Sequence, residues 1–194
     1  MAIRPRPHSK ALHKMAAPMN KADLLAAMAA HVRHTGLAGA SLRPLARAAG
    51  TSDRMLIYHF GTKAKLIAAL LDRLASEMLG AMNAILPATP AESDAALAAE
   101  IIALFRTPTF QPYRRIWFDI LSGAASNDKV HRDIARRILA GQVDWIIARL
   151  PEGTHNPTSQ AKAMLVMIQG ALTLDLVEMS KAANLGVQRA YPPR

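Results

Sequence analysis

The sequence has 194 residues, of which 51% are apolar, and a formal net charge of +10. This length suits one domain or a small module joined to a larger one, and the absence of cysteine excludes disulfides and thiolate metal sites. Alanine, leucine and methionine outnumber aromatic and β-branched residues, so the composition predicts an all-α fold. No segment has the apolar core of a signal peptide or a membrane span, and we expect a soluble, cytoplasmic protein.

The positive charge is concentrated in the first third of the chain. Residues 1–65 carry eleven lysines and arginines against two acids, whereas residues 66–194 carry thirteen against twelve. A basic module on a nearly neutral body indicates an anionic partner for that module alone. Nucleic acid is the first candidate and an acidic membrane surface the second; a merely solubilising segment is the remaining alternative.

Residues 1–19 are rich in arginine, lysine, proline and histidine without periodicity, which predicts a disordered basic arm. Its cations either reach along a DNA duplex or stay solvated: Arg4, Arg6, Lys10 and Lys14. Apolar residues every three or four positions then predict a first helix over 21–34. Ser41 and Ser52 are candidate N-caps for two short helices over 42–49 and 53–59, and Gly50 between them is expected to adopt a positive φ.

Five further helices are expected, over residues 63–79, 92–105, 113–124, 128–150 and 158–183. The first of these is long enough to link two halves of the molecule. The last is apolar around most of its circumference, so it must bury two faces. One face belongs to its own core, and the other is available to a partner subunit or, alternatively, to the core of a monomer.

Two short helices joined by a glycine turn in a basic segment form a helix-turn-helix. Leu45, Ala46 and Ala49 are small or apolar and allow the helices to cross closely, while Leu56 and Phe60 lie four residues apart on one face. The opposite face of the second short helix is then free to enter a DNA major groove, which admits one α-helix.

Residues 42–71, LRPLARAAGTSDRMLIYHFGTKAKLIAALL, resemble the DNA-binding segment of the TetR family of bacterial transcriptional regulators. The positions that carry the resemblance are Leu45, Ala46, Ala49, Gly50, Ser52, Leu56, Tyr58, His59, Phe60, Gly61, Lys63 and Leu66. Ile57 departs from the family pattern, which commonly has a tyrosine there. The resemblance implies a DNA-binding domain over 20–65 and an effector-binding and dimerisation domain over 66–194.

It further implies a ligand-responsive repressor that binds a palindromic operator as a homodimer, through the helices at about 128–150 and 158–183. Neither a cofactor nor a metal is expected. Ten residues are the candidate DNA contacts: Ser41, Arg43, Ser52, Asp53, Arg54, Met55, Ile57, Tyr58, His59 and Lys63. Arg54 is the candidate for base readout, because a guanidinium pairs bidentately with guanine. Tyr58, His59 and Lys63 are assigned to phosphate, and Ile57 to an apolar contact.

A low-polarity effector pocket suits an apolar small molecule. Its candidate lining residues, each of which is alternatively plain core, are Phe105, Phe110, Tyr113, Trp117, Phe118, His131, Trp145, Met164 and Gln169. Nothing in the sequence indicates an enzyme, since it shows no nucleophile–base set, glycine-rich phosphate loop or metal-ligand spacing. The alternative function is a basic helical protein that coats nucleic acid or a membrane surface without reading sequence.

Overall fold

A computed structural model describes residues 20–191, and within that range the fold is all-α, as predicted. The predicted basic arm, residues 1–19, lies outside the described residues. The described residues form nine α-helices: α1 Lys21–Thr35, α2 Leu42–Ala48, α3 Asp53–Phe60, α4 Lys63–Ile85, α5 Asp94–Arg106, α6 Gln111–Ala125, α7 Lys129–Ile147, α8 Pro157–Leu176 and α9 Ser180–Ala190. No helix in the described range combines the length and hydropathy needed to cross a bilayer.

The prediction of one long last helix over 158–183 is wrong. α8 ends at Leu176, and Glu178 adopts a φ of 61°, in the left-handed region. The N–H of Met179 then donates to the carbonyl of Leu174 at 3.0 Å, which closes the helix end, and α9 starts at Ser180. This turn contains no glycine or proline, and apolar residues continue through it, so the sequence pattern did not predict the break between the two helices.

Two hydrophobic clusters form the interior of the described structure, and α4 and α7 each contribute to both. The first cluster joins α1, α2, α3 and the first half of α4 to α6 and α7, through Ile116, Ile120 and Ile134. The second joins Met82, near the end of α4, to α5, the end of α7, α8 and α9. The amino-terminal helices therefore share a core with the body of the protein, and α4 connects that core to the second one.

The far end of α4 is held by a buried arginine. Arg149 is 3% exposed, and it donates to the carbonyls of Leu86 and Trp145 and to the side-chain oxygen of Asn83. Its guanidinium lies 3.7 Å from the centre of the Trp145 ring. Burial lowers the pKa of Arg149. The bonds to Leu86 satisfy a carbonyl at the end of α4 that has no partner within the helix.

Candidate nucleic-acid interface and effector cavity

The turn between α2 and α3 has the close crossing that the sequence predicted. Gly50 has a φ of 61°, and the N–H of Thr51 donates to the carbonyl of Ala46 at 2.9 Å. Leu45, Ala46 and Ala49 are buried where the two helices meet. The small side chains permit a tight approach, and glycine takes the positive φ without a steric penalty.

α3 has one buried face and one exposed face. Leu56 and Phe60 point into the core, whereas Arg54, Met55 and Tyr58 are exposed, with 79% of Tyr58 open to solvent. A tyrosine this exposed does nothing for the core of the subunit. The remaining predicted residues of this helix, Asp53, Ile57 and His59, are half-buried, and the His59 ring meets the Tyr58 ring edge-on at 5.4 Å.

The two predicted serines play different local roles. The Ser52 hydroxyl accepts from the N–H of Met55 at 3.3 Å and so caps α3. Ser41 occupies the N-cap position of α2, but its side chain makes no capping bond. The hydroxyl of Ser41 is thus available to an external acceptor such as phosphate, whereas that of Ser52 is already engaged.

Cations on this face lack the ion pairs seen elsewhere in the protein. In the described part of the chain, no carboxylate lies within ion-pair distance of the exposed cations of α2, α3 and the start of α4, which are Arg43, Arg47, Arg54, Lys63 and Lys65. Arginines of the body are paired instead, as in Arg106–Asp175 and Arg137–Asp72. Positive charge on the helix-turn-helix is therefore left uncompensated and directed to solvent.

A second site lies in the body, where α4, α5, α6, α7 and α8 enclose an apolar cavity. Five of the predicted pocket residues line it: Phe105, Tyr113, Trp117, Phe118 and Gln169. Leu71, Leu74 and Met78 of α4 complete one wall. The cavity holds about 40 Å³, room for only a few waters, so a larger molecule requires its walls to move apart.

Four predicted pocket residues do not line this cavity. Phe110 and Met164 are fully buried in the second hydrophobic cluster. Trp145 is directed to the end of α4, where its N–H donates to Asn83 at 2.7 Å. His131 lies at the start of α7 beside Gly123 and Asp128. Aromatic and histidine character in the sequence could not distinguish cavity from core, because helix rotation decides which side a residue faces.

Sequence reasoning missed Arg114 and Gln142, which also line the cavity. Gln142 accepts from the Gln169 amide at 3.2 Å, and Gln169 in turn accepts from the Trp117 N–H at 2.8 Å. Arg114 follows Tyr113 directly, so the only signal was a basic pair, Arg114–Arg115, inside an aromatic helix.

α6 is also fastened to the amino-terminal helices. Arg115 donates through one nitrogen to the carbonyls of Arg33 and His34, both at 2.9 Å, at the end of α1. The Asp119 carboxylate accepts from the N–H of Leu37 at 2.8 Å. We call this pair of contacts the α6–α1 latch. It places the helix that lines the cavity in direct contact with the helix-turn-helix domain.

Beside the latch, α1, α6 and the end of α8 border an open crevice of about 480 Å³. Its charged and titratable lining residues are Arg33, His34, Arg114, Arg115 and Asp119. Arg114 and Phe118 border both the crevice and the apolar cavity, so the two spaces adjoin. Within the described range, no group of three or more histidine and acidic side chains is positioned to hold a metal ion.

Comparison with protein families identifies residues 24–70, which match the model of the bacterial regulatory proteins of the tetR family. The matched range runs from α1 into α4 and contains the whole helix-turn-helix. No curated protein sequence matches the chain.

Solved structures with the same fold cover nearly the whole chain. A transcriptional regulator from Rhodococcus sp. Rha1 has a TM-score of 0.64 at 22% identity over 87% of this chain and 92% of that one. A TetR-family regulator from Rhodococcus sp., described as putative, has a TM-score of 0.62 at 19% identity over 87% and 94%. The multidrug binding protein EbrR, complexed with imidazole, has a TM-score of 0.61 at 22% identity over 92% and 93%. At these identities the likeness is one of fold.

Proposed function

We propose that this chain, which belongs to the TetR family of bacterial regulators, is a ligand-responsive transcriptional repressor that binds a palindromic operator as a homodimer. The observation that carries the proposal is the face of unpaired cations around an exposed recognition helix, described above. DNA phosphates are the anions that such a face fits, because each neutralised phosphate releases a counterion. As a repressor, the protein acts on the chromosome in the cytoplasm and is not an enzyme.

Within this proposal, α3 is the helix that reads the major groove. Arg54 is exposed and has no ion-pair partner within residues 20–191, and its guanidinium suits bidentate contact with a guanine, worth about 1–3 kcal/mol of discrimination. Met55 and Ile57 offer apolar contacts to sugars or thymine methyl groups. Asp53 lies in the first turn of α3, where the helix dipole stabilises its negative charge, and its carboxylate can accept a hydrogen bond from a cytosine amine.

Phosphate contacts come from the rim of the same face. Tyr58, His59 and Lys63 approach the backbone from the end of α3 and the start of α4, and Arg43 does so from α2. The free hydroxyl of Ser41 suits a phosphate oxygen, whereas Ser52 contributes through its cap of α3. A proposed DNA-binding domain over 20–65 includes all ten residues.

The proposed dimer surface lies on α8 and α9 rather than on α7 and α8. Large apolar side chains are exposed along α8, the turn after it and α9: Val166, Leu176, Val177, Met179 and Leu185. Val166 is 74% exposed in the single chain, which is costly unless a partner covers it. The exposed face of α7 carries Arg136, Arg137 and Asp144 instead.

Ligand response follows from the α6–α1 latch. A molecule that enters the cavity displaces α6, and α6 holds the end of α1 through Arg115 and Asp119. Moving α1 changes the separation of the two DNA-binding domains in a dimer, so only one of the two conformations, with or without ligand, matches both operator half-sites. EbrR, which has this fold, is a multidrug binding protein solved as a complex with imidazole, and that precedent supports an effector site here.

The test is binding of the purified protein to the DNA upstream of its own gene, at about 0.15 M salt with random competitor DNA. Arg54→Ala should lose about 1–3 kcal/mol on the specific site and relax its preference at one position. Lys63→Ala should weaken all DNA alike and lower the salt slope by about one. Arg136→Ala, an exposed arginine on α7, is the matched control and should change neither.

A complex that resists competitor and depends on Arg54 supports the repressor. The alternative is a basic protein that coats nucleic acid or membrane without reading sequence. It predicts that competitor removes all binding and that Arg54→Ala weakens every DNA equally.

A further inference from the structure

We propose that the effector is an apolar organic acid, whose tail enters the cavity and whose carboxylate binds Arg114 at the entrance. This inference rests on the proposed function, since it names the chemical class of the ligand for the same site. It follows from three features of the site: the satisfied polar groups of the cavity, the unsatisfied state of Arg114 and the charge of the adjoining crevice.

The cavity itself offers almost no free polar group. Its walls are mainly leucine, isoleucine, methionine and aromatic side chains. The polar side chains of Trp117, Gln142 and Gln169 are joined in one chain of hydrogen bonds, at 2.8 and 3.2 Å. Burial of an apolar tail against these walls is favourable at about 25 cal/mol per Å². Met78 is unbranched and can change rotamer to admit the tail.

Arg114 is the charged side chain of the cavity lining, and within the described residues it lacks a partner. Its Nε is buried and has no hydrogen-bond acceptor, and among the described residues no carboxylate lies within ion-pair distance of the side chain. The positive charge of Arg114 contributes to lowering the pKa of Asp175. The carboxylate of Asp175, however, already accepts two hydrogen bonds from Arg106, at 2.8 and 3.0 Å. A buried donor without an acceptor is costly, so a ligand oxygen placed there is stabilised.

The charges that line the crevice on the other side of Arg114 favour a ligand with a negative charge. Its cations are Arg33, Arg114 and Arg115, with His34 beside them, whereas Asp119 is its only acid among the lining residues. Arg33 pairs with Glu77, and Arg115 and Asp119 bond to backbone groups of the latch. Arg114 is thus the arginine of this crevice that remains available to an incoming anion, and an amine is repelled.

The position of Arg114 connects binding to the DNA domain. It is adjacent in sequence to Arg115, which holds the end of α1. A carboxylate drawn to Arg114, with a tail that pushes α6 away from α4, shifts both residues together. A ligand with an apolar tail and a carboxylate therefore strains the α6–α1 latch.

The test is isothermal titration of the full chain, without DNA, using octanoate and 4-phenylbutyrate as probes. Each acid is compared with its neutral amide, and octanoate also with octylamine. Within each comparison the probes share their tail and differ only in the head group, so the contribution of the apolar tail cancels when the two affinities are compared. One charge-assisted hydrogen bond is worth roughly tenfold to a hundredfold in affinity, which is the expected preference for acid over amide.

Arg114→Met removes the charge but retains most of the apolar chain, and it should abolish this preference by lowering the affinity for the acid far more than the affinity for the amide. Arg114→Lys should restore part of the preference. Arg136→Met, on the exposed face of α7, is the control and should bind like the unmodified chain. Thermal melting without ligand checks that each variant folds, which we expect because the Arg114 side chain makes no hydrogen bond or ion pair with the described residues.

Equal affinity for acids and amides, a preference that survives in Arg114→Met, or no binding by either acid would overturn the inference. None of these results bears on operator binding, which is measured with DNA alone. A protein that binds its operator but prefers no acid keeps the proposed DNA-binding function and refutes the ligand class. A protein that binds acids through Arg114 but no specific DNA does the reverse.

Discussion

Two aspartate–arginine pairs of nearly equal length allow the effect of burial on an ion pair to be measured within one protein. Asp175 on α8 accepts from Arg106 at 2.8 Å, and its side chain is 6% exposed. Asp72 on α4 accepts from Arg137 at 2.7 Å, and its side chain is 57% exposed. The change from aspartate to asparagine is nearly isosteric at both sites, so the two variants compare a buried carboxylate that accepts two hydrogen bonds with an exposed carboxylate that accepts one.

Asp175→Asn should lower the free energy of unfolding by about 2–4 kcal/mol. The change replaces one of the two oxygens that accept from Arg106 by an amide NH2, which cannot accept, and it removes the negative charge. A half-buried guanidinium is left without its counter-ion, with the charge of Arg114 close by. Asp72→Asn should cost less than about 1 kcal/mol, because water screens the pair. The measurement is urea unfolding followed by circular dichroism, at one protein concentration so that any dimerisation is held constant.

The pH dependence gives a second, independent check. Hydrogen bonds from Arg106 hold the pKa of Asp175 below its ordinary value. A group with a depressed pKa in the folded state contributes its full stability above the pKa of the unfolded chain, about 3.9, and loses it as the pH falls through the folded value. The gap between Asp175→Asn and the unmodified chain should therefore be constant near neutral pH and shrink below about pH 4. Equal costs for the two variants at pH 7, or a gap that does not change with acid, would refute the reasoning.

Three further changes test the packing, a cap and the subunit interface. Gly123→Ala places a Cβ 2.6 Å from the ring of His131 and should cost about 1–3 kcal/mol in chemical denaturation, whereas Gly141→Ala meets nothing within 4 Å and should be neutral or stabilising. Asn20→Ala removes the capping box of α1 and should cost about 1 kcal/mol of unfolding free energy; no change would mean that the cap is dispensable. Val166→Glu puts a charge on the proposed dimer surface and should yield monomers in sedimentation velocity without altering the monomer's circular dichroism, and a persistent dimer would place the interface elsewhere.

Much of the helix-turn-helix was readable from the sequence because its determinants are local. Gly50 takes the positive φ that the turn requires, Ser52 caps α3, and Leu56 and Phe60 are buried four residues apart. Each of these features depends on neighbours within a few residues, and such short spacings are visible in a single chain. The family resemblance concerned the same segment, and the family model matches it.

The far end of the chain shows what local pattern cannot decide. The break after Leu176 has no glycine or proline, and the left-handed residue is Glu178, which is uncommon at that backbone conformation. An apolar run continues through it, so periodicity predicted one helix where there are two. The turn brings α9 back onto α5 and α8, an arrangement that rests on contacts distant in sequence.

By itself, the sequence determined the all-α class, the basic first third of the chain and the helix-turn-helix, since composition and short spacings carry that information. Only the tertiary structure decided which side chains face the cavity: Arg114 lines it, whereas Trp145 and His131 do not. It also decided which charges are neutralised, because Arg106 pairs with an acid 69 residues away, while Arg114 has no acid partner among residues 20–191. Helix rotation and long-range pairing are set by the packing of the whole chain, and no short segment contains them.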